Sequence, residues 1–173
     1  MKRVNINIVT SSIDEDRFKK IKDLSNSSKY DVVLNVLLYS SSTFSSKDYY
    51  NLFKYEESDA QFFKDHIREI IKNSYCFTTI NAKVDPVEGY IDKFKLETFE
   101  DNNYGAIYSD YSTSNSTGVR SIVYQKSMPV KSNVLPLVFF NTNHYGFEKD
   151  PESHILSNSL SKHIPEPLCI LNR

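Results

Sequence analysis

Apolar and polar positions alternate from Val4 to Val9, with Asn5 and Asn7 set between Val4, Ile6 and Ile8. This period of two predicts a strand. Ser12 and Glu15 have the spacing of a capping box, and Phe18, Ile21 and Leu24 then fall on one face of a short helix. Residues 31–39 are too densely apolar for a strand wetted on one face, so they predict a central strand covered on both. Serines 40–42 end it in a polar loop. A second helix is predicted from Ser58, with Gln61 completing its cap. Its apolar stripe is Phe62, Phe63, Ile67, Ile70 and Ile71, with His66 as an interface residue among them.

The run from Tyr75 to Ile80 is β-rich. Asp85, Pro86 and Glu88 match an N-cap, N1 and N3, which predicts a helix burying Tyr90, Ile91, Phe94 and Phe99. Gly105 to Tyr108 reads as a strand ending near Asp110, and 113–118 as a polar loop. Residues 119–124 then alternate as an edge strand. Leu135 to Phe140 contains Pro136, so it should be peripheral or bent. A short helix over Pro151 to Leu160 precedes an extended end, where Pro165 and Pro167 forbid helix. The alternation of strands and helices predicts an α/β fold, a single domain over residues 1–173 with a largely parallel central sheet.

A chain of 173 residues can bury about 70% of its unfolded surface, so a core needs neither metal nor disulfide. With 21 basic and 22 acidic side chains, it lacks the clustered positive charge that nucleic acid rewards. Arg120, Lys126 and Lys131 form only a thin basic stretch. No run is long and apolar enough for a membrane span, and the first ten residues do not read as a signal peptide. A cytoplasmic setting is expected. Cys76 and Cys169 lie in apolar runs and read as buried thiols. Four glycines are too few for a phosphate-cradling loop.

Four stretches, in order, resemble the family-2-type inverting glycosyltransferases. They are Ile6 to Thr10, then Asn81 to Pro86, then Tyr104 to Tyr111. The last combines Gly146 to Glu148, Glu152 to His154 and His163 to Leu168. The resemblance implies a GT-A-like domain that transfers sugar from a nucleotide diphosphate donor to a hydroxyl. It implies Glu152 as general base, with Thr10, Lys83, Asp85 and Asp110 around the donor. Asp85 would hold Mn or Mg. Asn81 replaces a leading aspartate of the metal run, and Lys83 could face the diphosphate instead. Read from the residues alone, Asp85 is a helix cap and Glu152 a carboxylate favoured at a helix start, while Asp110 either lines a ligand cleft or orders the serine-rich loop.

The alternative is a non-catalytic relative with protein partners or a homo-oligomer, as in a viral or multi-protein assembly. Tyr39, Tyr108 and Tyr111 could stack on a ligand ring or bury area against such a partner. The histidines His144, His154 and His163 are too irregularly spaced for a zinc signal.

Overall fold

A computed structural model describes residues 1–27, 29–39, 45–55, 67–81, 83–115, 118, 120–123, 136–144, 152, 155–156 and 159–172. Its strands are β1 (Lys2–Thr10), β2 (Tyr30–Tyr39), β3 (Asn51–Tyr55), β4 (Cys76–Asn81) and β5 (Val84–Pro86). β6 (Ala106–Ser114), β7 (Arg120–Val123), β8 (Val138–Asn141) and β9 (Ser161–Asn172) follow. The helices are α1 (Glu15–Leu24), α2 (67–71), α3 (Tyr90–Lys93) and α4 (Thr98–Asn102). All nine strands join one sheet in the order β3-β2-β1-β4-β8-β6-β9-β5, with β7 hydrogen-bonded to β6.

The sheet corrects the expected largely parallel, GT-A-like architecture. β1 runs parallel to β2 and β4, β2 to β3, and β6 to β9. β4–β8, β5–β9, β6–β7 and β6–β8 are antiparallel. The sheet is therefore mixed, and it curls into a half-barrel. Strand twist accumulates in one sense across so many neighbours, which favours curling over a flat sheet.

Apolar clusters cover both faces of the sheet. One face carries Val4, Ile6 and Ile8 against Phe18 and Ile21 of α1. Fully burying a side chain of this size stabilises by about 1.5–3 kcal/mol. The other face carries Leu37, Phe77, Tyr108 and Phe140 against Ile67, Ile71, Ile155 and Leu156. α1 is capped by Asp14, whose carboxylate accepts from the Arg17 N–H at 3.0 Å, rather than by Ser12. The Ser12 hydroxyl does not take that role because Asp14 stands directly before the first turn.

Two further expectations are corrected. Asp85 does not cap a helix. Val84, Asp85 and Pro86 form β5 on β9, and the helix begins at Tyr90 after Gly89 at φ 68°. β5 ends the sheet path, so Pro86 is tolerated there. Leu135 to Phe140 is expected to be peripheral or bent; it is not peripheral, since buried β8 lies between β4 and β6. Pro136 precedes the strand and removes no ladder bond. Ser58, Gln61, Phe62, Phe63 and His66, where the second helix is expected to begin, lie outside the described residues, as do Lys126 and Lys131.

Gly105 is required by close approach. A Cβ there would overlap the Ser159 side chain and meet Ile155 Cγ2 at 2.8 Å. Its N–H donates to the Leu160 carbonyl at 2.8 Å, which brings the start of β9 against β6.

A polar row crosses the middle of the parallel strands. Asn51 is in register with Asn35, Asn35 with Asn7, and Asn7 with Thr79. The Asn35 amide donates to Asn5 Oδ1 at 3.1 Å and to Asn7 Oδ1 at 3.0 Å, and it accepts from Asn51 Nδ2 at 3.1 Å. Asn5 Nδ2 donates to the Ile70 carbonyl at 3.1 Å, tying the sheet to α2. Asn5, Asn7 and Asn35 are buried, and Asn7 Nδ2 finds no partner among the described residues.

Asn35→Leu orphans the Asn5 and Asn7 carbonyls and the Asn51 amide. It should destabilise the protein by about 3 kcal/mol in urea unfolding. A change below about 0.5 kcal/mol would show that the row does not hold the sheet.

Candidate functional site: a carboxylate–imidazole pair between β6 and β9

β6 and β9 run parallel, with Tyr108 paired to His163 and Ser109 to Ile164. The register then jumps, because Asp110 pairs with Pro167. Pro165 and Glu166 are the two extra residues of a bulge directly beside Asp110. Pro165 and Pro167 have no N–H to give the ladder, so the bulge forms where pairing is already broken.

Side chains alternate along β6, so Tyr108 and Asp110 share one face. The Asp110 side chain is 1% exposed, while that of His163 is 32% exposed. His163 Nε2 lies 2.8 Å from Asp110 Oδ1. A carboxylate only accepts, so Nε2 carries a proton, and in the neutral ring Nδ1 keeps its lone pair. The Tyr108 ring stacks on the imidazole, with centroids 5.1 Å apart and planes 21° apart. Ser109 Oγ donates to the Asp110 carbonyl at 2.8 Å. Burial, then the Asp110 charge, raises the Tyr108 phenol, so it stays neutral. One face of the imidazole is thus packed, its Nε2 is held, and part of the ring meets solvent.

The expected site residues divide into separate groups. Asn81, Lys83 and Asp85 gather around Arg17 of α1. Arg17 Nε donates to Asp85 Oδ1 at 3.2 Å, and its Nη2 donates to the Asn81 and Val84 carbonyls at 3.1 and 2.7 Å. Asn172 Nδ2 donates to Asp85 Oδ2 at 2.8 Å, and the Lys83 carbonyl accepts from the Asn172 N–H. Both Asp85 oxygens therefore serve a strut between α1, β5 and β9. The Lys83 side chain is exposed, and its N–H donates to Asn81 Oδ1. Thr10 ends β1 beside that edge, since Val9 pairs with Asn81, and its hydroxyl donates to the Ser12 carbonyl at 2.9 Å. Glu152 is half-buried in helical backbone. His154 and residues 146–148 lie outside the described residues.

A Mn or Mg ion at Asp85 does not fit this arrangement. Its neighbours are a guanidinium and an amide donor, which repel or ignore a cation. Among the described residues, no group of three or more His, Cys, Asp or Glu could hold a metal ion.

In the sequence His163 stands only as a scattered histidine and as the first residue of the closing proline segment. Its partner is 53 residues away, and only strand register joins them. His144 is engaged differently. Its Nε2 meets Asn103 Oδ1 at 3.0 Å, and its Nδ1 meets Ser159 Oγ at 3.3 Å.

Both cysteines are free and buried, as their apolar surroundings predict. Burial pushes the Cys169 thiol up to about 12 and the Cys76 thiol higher still. A thiol-reactive chromogenic disulfide should therefore modify neither in the native protein at pH 8 and both after denaturation. Rapid native reaction at either residue would contradict this packing.

No protein-family model matches the chain, and no curated protein matches it. With the curled, mixed sheet, this removes the support for a glycosyltransferase. Neither the GT-A fold nor nucleotide-sugar transfer stands for this protein.

Proposed function

We propose that the protein is a general acid–base catalyst acting through His163 and Asp110. The observation that carries this reading is a buried carboxylate bonded to Nε2 of a part-exposed imidazole, beside a two-residue bulge. Bulges recur next to active sites because they re-aim side chains. A carboxylate that fixes a histidine tautomer is the orienting half of a nucleophile-activating system.

The chemistry follows from the tautomer. His163 Nδ1 takes the proton of a water or substrate hydroxyl as that oxygen attacks an electrophilic carbon. The imidazolium then carries Nδ1–H and Nε2–H, with Nε2–H still donating to Asp110. As the bond to the leaving group breaks, Nδ1 returns the proton to it. Proton transfer of this kind contributes about 10²–10⁴-fold to a rate. The substrate is thus an ester-like or similarly electrophilic small molecule.

Hydrolysis of a series of p-nitrophenyl esters tests this directly. His163→Gln should lower kcat/KM by about 10²-fold, and Asp110→Asn should also lower it, with circular dichroism unchanged. His144→Gln should leave hydrolysis at the wild-type rate, since His144 belongs to another cluster. Equal rates for wild type and His163→Gln across the series would overturn the proposal.

A further inference from the structure

We infer that Tyr108 is the positioning residue of the His163–Asp110 pair, an inference that deepens the acid–base reading and rests on it.

Three observations converge on this residue. Tyr108 is the register partner of His163 on the adjacent strand, so its ring is held at a fixed strand spacing from the imidazole. The two rings are nearly coplanar in orientation and stacked, while Tyr108 itself is 6% exposed. It belongs to the buried cluster that contains Val138, Phe140, Ile155 and Leu156. The ring therefore cannot swing away without disturbing a packed core.

This geometry supplies what the carboxylate alone does not. The bond to Asp110 fixes the tautomer only while the imidazole stays seated against the carboxylate, and one hydrogen bond does not stop a part-exposed ring from swinging off it. A rigid aromatic face against the ring removes that freedom and fixes the direction in which Nδ1 points. Nδ1 then meets a reacting hydroxyl without reorganising, which is where orientation acts on a rate. Burial keeps the phenol neutral, so it adds no competing charge beside Asp110. The stacking ring does this, and the hydroxyl is not needed.

The two ring nitrogens of His163 report the effect by ¹⁵N chemical shift. Wild type and Tyr108→Phe should show one tautomer at neutral pH, protonated at Nε2. Tyr108→Leu should show averaged shifts from both tautomers. Ester hydrolysis should fall about tenfold in kcat for Tyr108→Leu, with KM little changed and full rate retained by Tyr108→Phe. Tyr108→Met keeps volume without a ring, so it replaces Tyr108→Leu if that variant fails to fold. A single Nε2–H tautomer in the ring-less variant would overturn the inference, as would loss of activity in Tyr108→Phe. If wild type hydrolyses no ester, the acid–base reading fails, while the tautomer measurement still decides the role of Tyr108.

Discussion

The pairing of β6 with β9 is the constraint on which the rest depends. It sets the last described segment of the chain beside β6, with β5 alone beyond it on the sheet path. Gly105 admits the start of β9, and the bulge at Pro165 and Glu166, followed by a second shift between Asp110 and Ser112, lets its later half go on pairing with β6. Asp110 lies at the point where the two halves meet. Its bond to His163 is at once a tie across the irregularity and the source of the imidazole's fixed tautomer. A buried carboxylate needs such a partner, because leaving it unpaired costs several kcal/mol. The demand for a partner and the opportunity for chemistry therefore have the same cause.

Elsewhere the sheet carries a different kind of polarity. The asparagine row is neutral, internal and tied to backbone, so it specifies register rather than reactivity. A one-residue slip of β2 would set Asn35 against apolar neighbours and leave its partners bare. Arg17, Asp85 and Asn172 do comparable work at the sheet's far end, holding β5 to α1 and β9. These residue types resemble a binding constellation in the sequence, yet their contacts are directed at one another and at backbone.

Elements with strong periodicity were legible, notably β1, α1, β2, β4 and the first half of β6. Their side-chain pattern alone states which face is buried. β3 was missed because Asn51–Tyr55 is short, and its side chains are half-buried or exposed. The cap-like signature at Asp85 was misleading because a tertiary contact, the Arg17 guanidinium, outweighed a local preference worth about 1 kcal/mol. The mixed sheet was misjudged because element order does not reveal that β8 enters antiparallel between β4 and β6. Asp110 was recognisable as a carboxylate in a buried strand. His163 was not recognisable as its partner, since nothing near His163 in the sequence encodes a contact so distant along the chain.

The central claim is that Asp110 and His163 act as one unit. A double-mutant cycle on ester hydrolysis tests it most directly, using Asp110→Asn, His163→Gln and the two combined. Residues that act together are non-additive, so the combined variant should be no slower than His163→Gln alone. Losses that multiply across the two substitutions would mean that the residues act independently, and the account would fall.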